Sequence, residues 1–216
     1  MHNRRKGIAA IVGSSAAIFW SGAFIFGLPG VMGPYWKETF RMGQGDIGNI
    51  LFFVLAAVGI VMLFVGRWQE RIGVRAMISI AAVMGGLDMV LLGFASHPFM
   101  LYLWAFIMGA ASCFVYIPAL TTVQKWYPTR RGLVTGIVNF MFAISAAIMG
   151  PVFRILHEAF GYFAMTVVLG FVSGVVGIAA AQFTGAPSDK DSPGSSQRPA
   201  PQGLQPDLDN SLTVAE

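Results

Sequence analysis

Ten residues from Gly66 to Arg75 place one carboxylate, Glu70, among three arginines, Arg67, Arg71 and Arg75, with glycines at 66 and 73. Groups at that spacing can pair with each other and with helix ends. Sliding of the surrounding helices would break such pairs, which makes the segment a candidate bistable element, the alternative being arginines that serve only as positive-inside anchors. A second carboxylate, Asp88, stands alone in an apolar run. Burying it unpaired in lipid costs at least about 2.5–3.5 kcal/mol on insertion scales. It is therefore a candidate for proton coupling, with a structural alternative: a protonated or water-linked carboxyl packed between helices. Trp20, Phe24, Tyr116 and Asn139 are the remaining candidates for contact with a ligand inside apolar runs. Rings can shape a small site, Tyr116 offers a hydroxyl, and the Asn139 amide can donate to a carboxylate or bond another helix.

The same inventory argues against an enzyme. His2, His97 and His157 all fall in loops or termini, whereas an intramembrane serine hydrolase needs a base beside a buried Ser. No two-His metal motif, phosphate-cradling glycine loop or Asn-Pro-Ala repeat occurs. The single Cys113 excludes an internal disulfide and a multi-thiolate metal centre. Neither a metal nor a cofactor is expected.

The elements that must carry these residues follow from composition. Of 216 residues, 56% are apolar and 11% charged, against about 25% charged in soluble domains. This excludes a disordered chain, a nucleic-acid module and a disulfide-stapled secreted domain, and it points to the lipid bilayer as the partner. Six apolar runs are long enough to cross it, at about 8–33, 47–66, 76–96, 100–124, 132–153 and 162–184. The first is too long for the core of a cleavable signal. Lys and Arg number eleven on the side of the termini and the second and fourth connections, against three on the other (Lys37, Arg41 and Arg154). That asymmetry predicts two cytoplasmic termini and an even number of spans. Aromatic residues cluster at span edges, Tyr35 and Trp36 or Tyr102 and Trp104 for instance, where headgroup-level rings are expected. Residues 1–184 are thus read as an all-α transmembrane bundle. Residues 185–216, with five prolines and a net charge of −3, are read as a disordered cytoplasmic tail.

An internal echo refines this picture. Glu70-x-x-Gly73-x-x-Ala76-Met77 recurs as Glu158-x-x-Gly161-x-x-Ala164-Met165, 88 residues later. An offset of three spans reverses direction, so the copies are expected to be inverted three-helix repeats, as in transporters. Pro29 and Pro118 fall at corresponding positions of the two copies. Each removes a backbone hydrogen bond within a span. Paired breaks of this kind point to a transport pathway, the alternative being ordinary packing kinks.

The 66–75 segment resembles the signature G-x-x-x-D-R-x-G-x-R of the major facilitator superfamily, with Glu70 in place of Asp. Tyr116-Ile117-Pro118, Lys125-Trp126-Tyr127-Pro128-Thr129-Arg130-Arg131-Gly132, Gly136 and Gly150-Pro151 resemble its oxalate/formate antiporter-like group. The resemblance implies alternating access in the plasma (inner) membrane and a small organic anion, monocarboxylates included, as cargo. It also implies that Gly66, Glu70, Arg71, Gly73 and Arg75 latch one half of the transporter against the other. Family members have about twelve helices, and their substrate-binding cations lie in the second half. Six helices therefore imply a half-size unit that needs a homodimeric copy or a second-half chain, with Arg154 the only basic residue offered from a span end. The alternatives are a non-transporting binding or regulatory subunit and a truncated transporter fragment.

Overall fold

The structure is a computed structural model that describes residues 2–185. Residues 186–216, nearly all of the expected tail, lie outside it. The described residues form α1 (His2–Gly22), a five-residue π turn (Ala23–Gly27), α2 (Leu28–Phe40), α3 (Gln44–Ile72), α4 (Val74–Gly93), α5 (Pro98–Trp126), a short 3-10 turn (Pro128–Arg130) and α6 (Arg131–Phe183). No strand occurs among them. Five stretches are long and apolar enough to cross a membrane, from Arg5–Phe40 to Pro128–Phe183. The protein is a polytopic all-α membrane protein.

The π turn has a local cause. Pro29 has no N–H to give the carbonyl one turn back, so the register widens by one residue. The Leu28 N–H bonds the Ala23 carbonyl, five residues earlier. Helix continues on both sides, so α1, the π turn and α2 form one long rod.

Two glycines do the opposite. Gly73, between α3 and α4, has φ 86° and ψ 158°. Gly161 has φ 79° and ψ 173° and breaks α6 into arms over 131–160 and 162–183. This corner of backbone space is essentially reserved for glycine. The last two expected spans, at about 132–153 and 162–184, thus lie on separate arms that meet at Gly161. The two glycines of the internal echo share the same rare conformation.

Side-chain contacts show how the rods run. At one end, the near end, Gly7 meets Tyr127, Gly13 meets Phe183, and Gln69 bonds Thr121. At the far end Trp36 bonds Tyr162, Tyr102 bonds Asp46, and Gly93 meets Phe163 and Thr166. Consecutive rods therefore alternate in direction. Gly73 lies at the near end and Gly161 at the far end.

Packing depends on absent side chains at two seams. A Cβ on Gly170 would stand 2.5 Å from the Gly86 carbonyl oxygen, and one on Gly86 would stand 2.8 Å from that of Gly170. These glycines let α4 and the second arm of α6 touch backbone to backbone. Gly22 performs the same task against the Phe142 carbonyl on the first arm. The core between the rods buries Phe24, Leu28, Met32, Trp36, Leu101, Trp104 and Phe153. Trp36 and Trp104, placed at headgroup level by their position in the sequence, are 0% and 2% exposed. Their rings meet at 5.9 Å, and the Trp36 indole N–H donates to the Tyr162 hydroxyl at 3.1 Å.

Candidate functional site

The predicted latch residues gather at the near end, where α3 stops at Ile72 and α4 starts at Val74. Gly73 permits the sharp turn, and its N–H closes α3 on the Gln69 carbonyl at 3.0 Å. Gly66, Glu70, Arg71 and Arg75 are all exposed. Among the described residues Glu70 makes no ion pair with Arg67, Arg71 or Arg75; the one ion pair described is Arg154–Glu158. The Arg75 guanidinium lies against the backbone of Gly185, whose carbonyl accepts the Trp126 indole N–H at 2.8 Å.

Gln69, which the sequence reading passed over, ties this loop to α5. Its amide donates to the Thr121 hydroxyl at 2.7 Å, and Thr121 donates to the Pro118 carbonyl at 3.2 Å. A polar chain therefore runs from the exposed loop to the proline inside α5. The available signal was a pair of uncharged polar residues near the same ends of neighbouring spans, which pattern alone does not join.

Of the predicted ligand-contact residues, the structure brings two together. The Tyr116 hydroxyl on α5 donates to Asn139 Oδ1 on the first arm of α6 at 3.0 Å. Tyr116 also lines a cavity of about 190 Å³ between the π turn, α3, α5 and that arm. Its lining includes Phe26, Leu55, Val58, Met62 and Phe142. Trp20 and Phe24 lie elsewhere. They border a much smaller space of about 30 Å³ inside the bundle, against α4, α5 and the second arm of α6. Phe24 is 2% exposed and stacks on Phe153 at 6.2 Å, while Trp20 meets Phe24 at 5.6 Å. Pro29 sits just beyond the π turn and Pro118 is buried in α5. Asp88 is 2% exposed in α4, and its Oδ2 has no partner among the described residues. Arg154 is apart from all of these: its Nε donates to Glu158 Oε1 at 2.8 Å on an exposed face.

The described residues hold no group of three His, Cys, Asp or Glu side chains placed to bind a metal ion. What the arrangement offers is an apolar space with a tyrosine–asparagine pair beside it, and a charged loop at one end of the same helices.

The chain is similar in sequence to known transporters. The chain is 27% identical over 145 residues to the probable sulfoacetate transporter SauU of Cupriavidus necator, a match covering 66% of this chain and 34% of that one. It is 26% identical over 163 residues to human monocarboxylate transporter 11, covering 74% of this chain and 35% of that one. An uncharacterized transporter of Bacillus subtilis, YybO, is 22% identical over 144 residues, covering 66% and 33%. The matched stretch thus spans about a third of the length of each relative. These relatives are transporters, not enzymes. The sequence model of the Major Facilitator Superfamily matches residues 13–213, so the chain belongs to that superfamily.

Proposed function

We propose that this chain forms one six-helix wall of a secondary transporter for small organic anions, and that a second six-helix unit supplies the facing wall. The observation that carries this reading is the loop at the α3–α4 junction. Glu70, Arg71 and Arg75 are exposed and unpaired with one another, so their charges are free to meet a facing unit. Rocking of one bundle against the other would then open the pathway alternately to each side, with the loop pairs made in one state and broken in the other. The pathway runs past Tyr116 and Asn139, with Pro29 and Pro118 marking the helix breaks. Trp20 and Phe24 support it from inside the bundle, and Arg154 stands toward the far end. Asp88 is the candidate proton-coupling carboxyl. The near end carries the basic loops, and the charge asymmetry supports a cytoplasmic position for it in a plasma membrane. The facing wall is a second copy or another six-helix segment.

The test joins the mass of the protein in lipid nanodiscs to uptake of radiolabelled oxalate, formate and lactate by proteoliposomes. A paired assembly with uptake above protein-free vesicles is expected. A strict monomer that moves none of these anions would refute the proposal. One observation favours a second reading, a binding or regulatory subunit without transport: no Lys or Arg lines the Tyr116 cavity. Its mark is stable association with an unrelated membrane protein.

A further inference from the structure

Resting on the transport reading, we propose that Trp68 and Gln69 splint α5 across Pro118, so that the bend of α5 follows the charged loop. Pro118 has no N–H to give the Phe114 carbonyl one turn back, so α5 lacks a backbone hydrogen bond at that point. The end of α3 holds α5 on both sides of it. On one side the Trp68 indole lies flat against the Phe114 ring, with centroids 5.5 Å apart and planes 5° apart. On the other side the Gln69 amide donates to Thr121 Oγ1 at 2.7 Å, and Thr121 donates to the Pro118 carbonyl at 3.2 Å. Phe114, Pro118 and Thr121 follow at spacings of four and three, which puts them on one face of α5. Phe64, one turn before Trp68 on α3, stacks on the indole at 5.9 Å and steadies it.

The two holding residues directly precede Glu70 and Arg71. Gln69 is fastened twice: its side chain to α5, and its carbonyl to the Gly73 N–H at 3.0 Å, which closes α3 at the turn. The loop therefore cannot shift without pulling on Thr121 or sliding the indole over Phe114. Of the two rods, α3 has no proline between residues 44 and 72 and an unbroken set of backbone bonds, whereas α5 has the gap at Pro118. Strain applied at the loop is relieved where the bond is missing, by bending of α5. Tyr116 stands two residues before Pro118, so the Tyr116–Asn139 pair on the proposed pathway lies where that bend is felt. Trp68 and Gln69 are thus positioning residues, acting on the pathway through α5.

The test uses the full chain in lipid nanodiscs and reads backbone hydrogen exchange along α5 by mass spectrometry. The variants are Trp68→Leu, Gln69→Leu, Thr121→Val, which keeps the shape and loses the hydroxyl, and Thr121→Ser, which keeps the hydroxyl. Each is made with Pro118 and with Pro118→Ala, which gives the Phe114 carbonyl its donor back. With Pro118 present, exchange over 114–126 should rise about threefold in Gln69→Leu and Thr121→Val, the mean effect of a hydrogen bond between membrane helices. Trp68→Leu should raise it about two- to tenfold, and Thr121→Ser should stay near the unsubstituted protein. Residues 98–110 should be unchanged, and in Pro118→Ala the rises should vanish. No rise, a rise spread along all of α5, or a rise that survives Pro118→Ala would show ordinary packing and overturn the splint. Uptake of labelled oxalate, formate and lactate by proteoliposomes is read beside it. Gln69→Leu should slow turnover at unchanged half-saturation, and should add nothing to the slowing by Arg71→Ala. Normal turnover in Gln69→Leu would overturn the coupling of loop to pathway while transport stands. If the unsubstituted protein moves none of the anions, the transport reading fails, and the exchange pattern still decides whether the splint exists.

Discussion

Replacing Tyr116 by Phe deletes one hydroxyl and leaves the ring. The ring meets Phe142 edge-on at 5.8 Å, and phenylalanine keeps that contact. The change therefore isolates the 3.0 Å bond to Asn139, which ties α5 to the first arm of α6. In soluble proteins such a bond contributes roughly 0.5–1.5 kcal/mol. Between membrane helices the average is about 0.6 kcal/mol and the largest values about 1.7 kcal/mol, because the unfolded chain in the bilayer also finds partners. Both residues are half-buried, so the expectation is about 0.6–1.5 kcal/mol, and Asn139→Leu should cost a comparable amount. The assay is reversible unfolding in mixed micelles of the unsubstituted protein, the two single variants and the double variant. The coupling energy of the cycle should match the loss in Tyr116→Phe, since either single change already breaks the bond. If the cycle is additive within about 0.2 kcal/mol, the two helices are not joined here and the pairing beside the cavity has no energetic meaning. If the coupling is real but anion uptake is unchanged in both single variants, the pair is structural and leaves the pathway.

Arg71→Ala should slow turnover several-fold with little change in the concentration for half-maximal uptake, because a latch between halves acts on the rocking step; a change confined to affinity would argue against it. Asp88→Asn should abolish acid-stimulated uptake and leave exchange of one anion for another intact, and normal acid stimulation in that variant would remove Asp88 from the pathway. Gly161→Ala should destabilise the bundle by about 1–3 kcal/mol in the same unfolding assay, since a side chain is forced to φ 79° and ψ 173°. An unchanged midpoint would mean that the backbone there relaxes freely.

Hydropathy, charge asymmetry and the 66–75 motif are local or additive properties of the chain, and each was legible before folding. Apolar runs of about twenty residues have only the helix available in lipid, because every backbone N–H and C=O must be bonded within the segment. That is why the apolar spans and the loop between α3 and α4 could be placed from residues alone. The Gly73–Gly161 echo was legible as pattern, and the structure supplied its physical content: one backbone conformation used at opposite ends of the bundle. The separation of the last two spans was legible as well: Arg154, His157 and Glu158 interrupt the apolar run, and the structure breaks the helix just beyond them, at Gly161.

The facing of helix sides was decided only by tertiary packing. Spacing along a helix says that Trp20 and Phe24 share a region, but not that it faces an interior space against α4 rather than the cavity beside Tyr116. Position near a span edge suggested headgroup level for Trp36 and Trp104, whereas the far-end packing buries both. In a chain whose helices are apolar all round, hydrophobicity does not distinguish a lipid face from a core face. Close approach at Gly22, Gly86 and Gly170, together with a handful of hydrogen bonds such as Gln69–Thr121 and Tyr116–Asn139, makes that choice.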